Sequence, residues 1–257
     1  MKVLKLIPLM IVVGFWGWIL SCVSIPEYRA YLVDRLRILG IRSEPLEAPA
    51  GTTVTITAFV ADTKGEGRAI TYIWGVCPQE KGGGTGCTSE TDLMLIGFGI
   101  TPEVGYTLPA GVTGTTVVGL MVTAGTEYEM GFKRVFVSDY SSPNHNPKID
   151  QFLIGGTECT ETTCIGGDTM TMTVNATPGS VEEYEITPGN WIKERLFYSW
   201  FVTGGELKEE ITLGETGKNE WYSKDSEGNK VTETTLYIVL RDGRGGIDWM
   251  TKLLKTQ

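Results

Sequence analysis

One pattern occurs twice along this chain and leaves few folds open: an alternating apolar run entered through a glycine, then a segment carrying Tyr-x-Trp, then two late apolar runs. "TTVTITAFVAD" (residues 52–62) sets Val54, Ile56, Ala58 and Val60 on one side, and "TMTMTVNAT" (residues 169–177) does the same with Met170, Met172, Val174 and Ala176. Gly51 precedes the first run and Gly167 the second. Successive side chains of a strand point to opposite faces, so this alternation describes a sheet with one face against a core. Downstream, "ITYIWGV" (residues 70–76) is answered by "LFYSWFV" (residues 196–202), which aligns Tyr72 and Trp74 with Tyr198 and Trp200. "TTVVGLMVTAG" is answered by "TTLYIVLRDGRGG", and each is followed by another apolar-alternating run, "MGFKRVFVS" and "IDWMTKLL". Upstream, "LRILGIRSEP" is answered by "KIDQFLIGG". No long stretch after residue 35 carries a helical stripe, and the class that follows is all-β.

Gly167 lies 116 positions after Gly51, whereas Trp200 lies 126 after Trp74, so the second copy carries extra loop between these landmarks. The two units span residues 35–139 and 148–257. They are joined at 140–147 by a polar segment with Pro143 and Pro147, which reads as a stiffened hinge. On "YIW", "YSW" and the "VLRDGRGG" turn, residues 35–257 resemble two tandem immunoglobulin-like β-sandwiches, of the polycystic-kidney-disease type found in bacterial surface proteins. The tryptophan suits that architecture, since a central strand needs a bulky side chain to fill a core about 10 Å thick. One departure stands out. Antibody-type domains join their sheets by a disulfide flanking that tryptophan, and the cysteines here lie too close in sequence to do so.

The N-terminus supplies an address. A cationic start (Lys2, Lys5) precedes an uncharged, mostly apolar run at positions 6–20, then Ser21 and Cys22. The run is short of the roughly 20 residues a spanning helix needs, and the three-part layout is that of an export signal. "ILSC" resembles the lipobox of bacterial lipoproteins. That resemblance implies a signal peptide at 1–21, acylation of Cys22, a tether at 22–34 and anchorage to a membrane by lipid. Val23 after the cysteine resembles lipoproteins passed on to the outer membrane, with the body facing the periplasm or the cell surface. Pro26, followed by Tyr28, Leu32 and Leu36 on one side, permits a short helix in the tether.

Four other cysteines remain, in two local couples, and an oxidising compartment suits disulfides Cys77–Cys87 and Cys159–Cys164. Zinc is the rival reading, disfavoured by a single histidine, His145. The formal charge of −9 becomes −11 once Lys2 and Lys5 leave with the leader. An acidic chain without a basic block excludes nucleic acid as a partner.

Catalytic signatures are weak. A Ser-His-Asp site has only His145, in the linker near Ser141 and Ser142, where nothing rigid holds a triad. "KGGGTG" (residues 81–86) lacks the Lys-Ser/Thr and the helix of a phosphate loop, and reads as a stapled surface loop. "DGRGG" (residues 242–246) reads as a hairpin turn, with a calcium loop through Asp242 and Asp248 as its weaker alternative. The linker resembles the Asp/Asn-rich junctions of cadherin repeats and offers Asp139, Asn144, Asn146 and Asp150 as a weak calcium set. Glu182/Glu183 and Glu209/Glu210 read as solvated faces rather than paired catalysts. Trp191, Trp221 and Tyr222 have polar flanks and are the candidates to bind a sugar ring or protein.

The sum is a lipid-anchored cell-envelope protein acting as a structural or protein-interaction module, suited to be one subunit of a larger assembly, with no cofactor and no catalysis. The alternative is a glycan-binding or adhesive surface lipoprotein, with the three aromatics exposed on one face. A carboxylate-dependent hydrolase ranks third and needs a cleft of converging acids.

Overall fold

A computed structural model describes residues 29–65, 68–77, 93–111, 113–138 and 142–257, and the backbone alone at 82–83 and 86–87. The predicted leader at 1–21 and Cys22 lie outside these residues, as do Asp139, Ser141 and the side chain of Cys87. Among the described residues no helix is long and apolar enough to cross a membrane.

The first repeat builds β1 (Arg37–Glu44), β2 (Glu47–Ala48), β3 (Thr53–Ala61), β4 (Thr71–Cys77), the short β5 (Gly82–Gly83) and β6 (Gly86–Cys87), β7 (Met94–Gly99), β8 (Glu103–Thr107), β9 (Gly114–Ala124) and β10 (Glu127–Val137). They form a three-stranded sheet, β1-β3-β8, and a five-stranded one, β2-β10-β9-β4-β7. In the lettering of immunoglobulin domains this is A-B-E facing A′-G-F-C-C′. The alternation read from the sequence holds: Val54, Ile56 and Ala58 point inward to meet Trp74, Leu120 and Val122.

The second repeat continues with β11 (Ile149–Ile154), β12 (Thr157–Glu158), β13 (Thr163–Gly166), β14 (Thr169–Ala176), β15 (Glu183–Thr187), β16 (Asn190–Lys193), β17 (Phe197–Val202), β18 (Glu206–Leu207), β19 (Ile211–Leu213), β20 (Thr216–Tyr222), β21 (Glu233–Arg241) and β22 (Ile247–Thr256). Its sheets run β12-β11-β14-β20-β18 and β13-β22-β21-β17-β19, the same order with two-residue strands, β12 and β18, added at the edges of the first. Met170, Met172, Trp200 and Ile238 fill its core, and Trp200 Nε1 donates to Thr212 Oγ1 at 2.8 Å. The extra loop is the β15–β16 hairpin, inserted before β17. Both units are therefore immunoglobulin-like sandwiches with the tryptophan on strand C.

The disulfide Cys159–Cys164 is formed, closing the loop between β12 and β13. A ring this short stabilises by about 2 kcal/mol on the chain-entropy model. Lys252 Nζ donates into the same loop, to the carbonyls of Cys159 (2.9 Å) and Glu161 (2.7 Å). Cys77 is also disulfide-bonded. "DGRGG" is the predicted turn, with Gly243 and Gly245 at φ 81° and 112°, values that suit glycine. Its Asp242 is buried, and the carboxylate accepts from the backbone N–H of Arg244 (2.7 Å) and Gly246 (2.9 Å).

Two expectations about the connections fail. Residues 31–34 are neither free tether nor helix: Leu32 bridges Val202 in parallel, Val33 N–H donates to Val202 O at 2.8 Å, and Val202 N–H to Tyr31 O at 2.9 Å. Tyr31 is buried in the second core, so the segment preceding the first sandwich is held by the second. The linker is likewise clasped rather than hinged. Asn144 and Pro147 are buried, Asn144 Nδ2 donates to Asp242 Oδ2 at 3.1 Å, and Asn146 Nδ2 donates to Ser43 O at 2.8 Å. A hinge would leave these polar groups to water; here each bonds to a sandwich.

Candidate interaction face

The two sandwiches meet sheet to sheet. Leu39, Phe59 and Ala61, on the outer side of β1 and β3, pack with Val33 against Val239, Ile247, Phe201, Tyr237 and Trp249 on the outer side of the β22-β21-β17 sheet. Phe59 stacks on Trp249 with centroids 5.1 Å apart and planes 2° from parallel, and Tyr237 meets Phe59 edge-on at 5.8 Å. The Arg42 guanidinium lies 4.6 Å over Trp249 and donates to Asp248 at 3.0 Å. Trp249 thus packs across the junction.

The equivalent outer face of the first sandwich is also apolar and, among the described residues, lies bare. Antiparallel register places Phe98, Ile73, Met121 and Met130 in one row across β7, β4, β9 and β10. Leu95, Gly75, Gly119 and Phe132 form the next. Leu95, Phe98, Tyr128, Met130 and Phe132 are 66%, 72%, 71%, 50% and 52% exposed. The glycines level this surface, because a Cβ on Gly75 would stand 2.4 Å from Leu93, and one on Gly119 3.4 Å from Phe132. With no side chain beneath, Leu93 and Phe132 lie down over the sheet. Side chains of 150–250 Å² each, half to three-quarters exposed, together offer on the order of 600 Å², at the upper end of what a monomer's largest apolar patch shows.

Along the inner edge of β10 Lys133 is buried and Glu129 half-buried. Desolvation raises the Glu129 carboxyl above its ordinary range, partly offset by the Ile38 backbone N–H. Burial lowers the Lys133 ammonium to about 8, although Asp242 nearby opposes this. Lys133 Nζ donates to Gly245 O, while Arg241, lowered by burial, donates to Leu39 O and Ser199 Oγ, both at 2.9 Å. Both cations spend donors on the protein itself. At the turn, Arg244 pairs with Glu194 at 2.9 Å and approaches Glu47 and Glu182 at 3.9 Å, and its guanidinium lies 4.1 Å over Tyr184. Burial raises the Glu194 carboxyl. These acids converge on an arginine in a packed joint, which gives them a structural use.

The other sequence candidates separate in space. Trp221 is a correction: it points into the core, fully buried, with Nε1 donating to Gly204 O at 2.9 Å. Tyr222, next along β20, faces the opposite way and donates its hydroxyl to Glu220 at 2.7 Å. Trp191 is exposed on the β15–β16 hairpin, in a different sheet. The three do not form one platform. The linker amides are a second correction. Asn144 Oδ1 accepts from Arg244 at 3.3 Å and Asn146 Oδ1 from the Ile247 N–H at 3.0 Å, so these oxygens face donors rather than a cation; Asp150 is exposed on β11. Asp248 is taken by Arg42 and the Ile149 N–H (2.8 Å). His145 Nδ1 sits 2.7 Å from Glu182 at the surface. Among the described residues no three of His, Cys, Asp and Glu are grouped to hold a metal.

The bare face escaped sequence reasoning although a signal was present. "GTTVVGLMV" and "MLIGFG" are apolar at both parities, which alternation analysis records as a strand without recording that both faces need cover.

Neither a protein-family model nor a curated protein matches the sequence. Among solved structures, the chain is similar to the two tandem V-type regions of VCBP3, a v-region-containing chitin binding protein, at 15% identity and TM-score 0.35, covering 85% of this chain and 100% of that one. It is also similar to the Yersinia pseudotuberculosis adhesin InvE (10% identity, TM-score 0.25, 86% of this chain and 60% of that one). A third similarity is to Escherichia coli alpha-2-macroglobulin (10% identity, TM-score 0.28, 87% of this chain), of which the chain spans only 17%.

Proposed function

We propose that this chain is a non-catalytic structural and protein-interaction module of the bacterial cell envelope, tied to the outer membrane by lipid on Cys22 and joined to a protein partner through the outer face of its first five-stranded sheet. The observation that carries the reading is the pair of equivalent sheet faces, one covered by apolar packing and the other apolar and open. Stacked sheets bury such faces, and a patch of this size marks a contact surface. The lipid anchor is supported by the leader with Lys2 and Lys5, the apolar run and "ILSC". The polycystic-kidney-disease type within the immunoglobulin-like fold rests on "YIW", "YSW" and the "DGRGG" turn. The adhesive, glycan-binding alternative lost its main support when Trp221 proved to be core.

A photo-crosslinking residue at position 98, with position 173 on the polar outer side of β14 as control, tests the face in intact cells. Adducts at 98 and none at 173 are expected; no adduct at 98 overturns the reading. For the anchor, mass spectrometry of the membrane-extracted chain should show a diacylated or triacylated N-terminal Cys22. A chain starting at Met1 with a free thiol there overturns it.

A further inference from the structure

We propose that the bare face on β10, β9, β4 and β7 seats the same face of a second copy of this chain, giving a two-fold dimer through the first sandwiches. This rests on the reading of that face as a binding surface and names its occupant.

Size is the first support. The roughly 600 Å² from five side chains, widened by the half-buried Ile73 and Met121 and the exposed Leu93 between them, approaches the roughly 800 Å² per partner of a stable interface. The chain itself supplies the second. The equivalent sheet of the second sandwich, β13-β22-β21-β17-β19, already takes a flat sheet on its outer side, through stacked Phe59 and Trp249, so this class of surface is one that a sandwich covers by face-to-face stacking.

Elimination of the other faces is the third. A head-to-tail contact would need another apolar outer sheet face on the chain. The outer side of β14 and β20 presents Thr171, Thr173, Asn175, Lys218, Glu220 and Tyr222, which would leave polar groups unpaired against Phe98 and Phe132. The apolar corner of β1 and β3 is used up within the chain. Elsewhere among the described sheets, exposed apolar side chains come at most in twos and threes, Ile211 and Leu213 on β19 and Ile186, Trp191 and Ile192 on the β15–β16 hairpin, so the broadest apolar surface left to meet this patch is the patch itself, and a contact of like with like closes as a two-fold dimer. The two central rows contain no charged residue, so the axis brings no like charges together there. Because each copy is acidic overall, added salt should tighten the pair.

The test uses the full chain made in bacteria in two differently tagged forms. Met121→Cys, near the middle of the face, should yield on mild oxidation a disulfide-linked dimer carrying both tags, whereas Thr173→Cys should not. In parallel, Phe98→Glu with Phe132→Glu should raise the dimer dissociation constant at least 100-fold in sedimentation equilibrium, with an unchanged circular dichroism spectrum and, at concentrations where the wild type is itself monomeric, an unchanged melting curve. A wild-type chain that stays monomeric and forms no mixed-tag product overturns the proposal. Crosslinking from position 98 separates the two levels: adducts solely to a different protein overturn the second copy but leave the binding face standing, and no adducts overturn both.

Discussion

The outer faces of the two sheets that carry the Tyr-x-Trp strands, β4 and β17, descend from one pattern and have opposite surroundings. On β21, Val239 is fully buried beneath the first sandwich; on β9, Met121 occupies a comparable outward position and is half open. Both strands read as apolar on both sides. The difference teaches that apolar residues on a sheet's second face announce a neighbour, and that the neighbour can come from the same chain or from outside it. Here the first sandwich covers the second, and nothing in the described chain covers the first.

Substitutions that treat the two faces alike should break this symmetry. In chemical denaturation of chain dilute enough to be monomeric, the largest effect is expected from Val239→Asp, which buries an unpaired carboxylate in the junction and should cost about 3–5 kcal/mol, against about 1 kcal/mol or less for Met121→Asp. Next comes Trp249→Ala, losing the Phe59 stack and the Arg42 contact, at about 2–3 kcal/mol, whereas Phe98→Ala should stay within about 0.5 kcal/mol. Equal costs at the two positions in the monomer would mean that the first face is also covered from within the chain.

The pH dependence sharpens the comparison at the joint. Lys133 titrates near 8 in the folded chain and near 10.4 when unfolded, so over this interval the unfolded chain binds more protons and stability rises with pH. From pH 8 to pH 10 the gain is about 2 kcal/mol, and below pH 8 the contribution is flat. The buried tyrosines act in the opposite direction toward pH 10, since desolvation holds Tyr72 and Tyr198 above their ordinary value. Denaturation of wild type and Lys133→Met side by side cancels them, and their stability difference should shift by that amount across the window. The smallest effect is Arg42→Ala, about 1 kcal/mol for a partly exposed ion pair and one cation–aromatic contact.

Much of the architecture was legible because its signals are local. Period-2 alternation located β3 and β14, Tyr-x-Trp located β4 and β17, and glycines located the turn at Asp242. Trp221 was misread because Asn219, another inward position on β20, made its strand look polar. That amide is buried and tied to Glu209, accepting from its N–H at 3.1 Å and donating to its carbonyl at 2.8 Å, and no short window records a partner ten residues away. The linker misled in the same way. Asn144 and Asn146 look like solvent-facing or cation-binding residues until Arg244, Asp242 and Ser43 arrive from both sandwiches.

By itself the order of residues determined two all-β units and the tryptophan at the centre of each, since strand period and core size are properties of short segments. Only the tertiary structure decided that the leading segment docks on the second unit, that the linker is clasped, and that one apolar face is covered while its twin is open. Those outcomes depend on what stands opposite an outward side chain, and that is settled by residues about a hundred or more positions away.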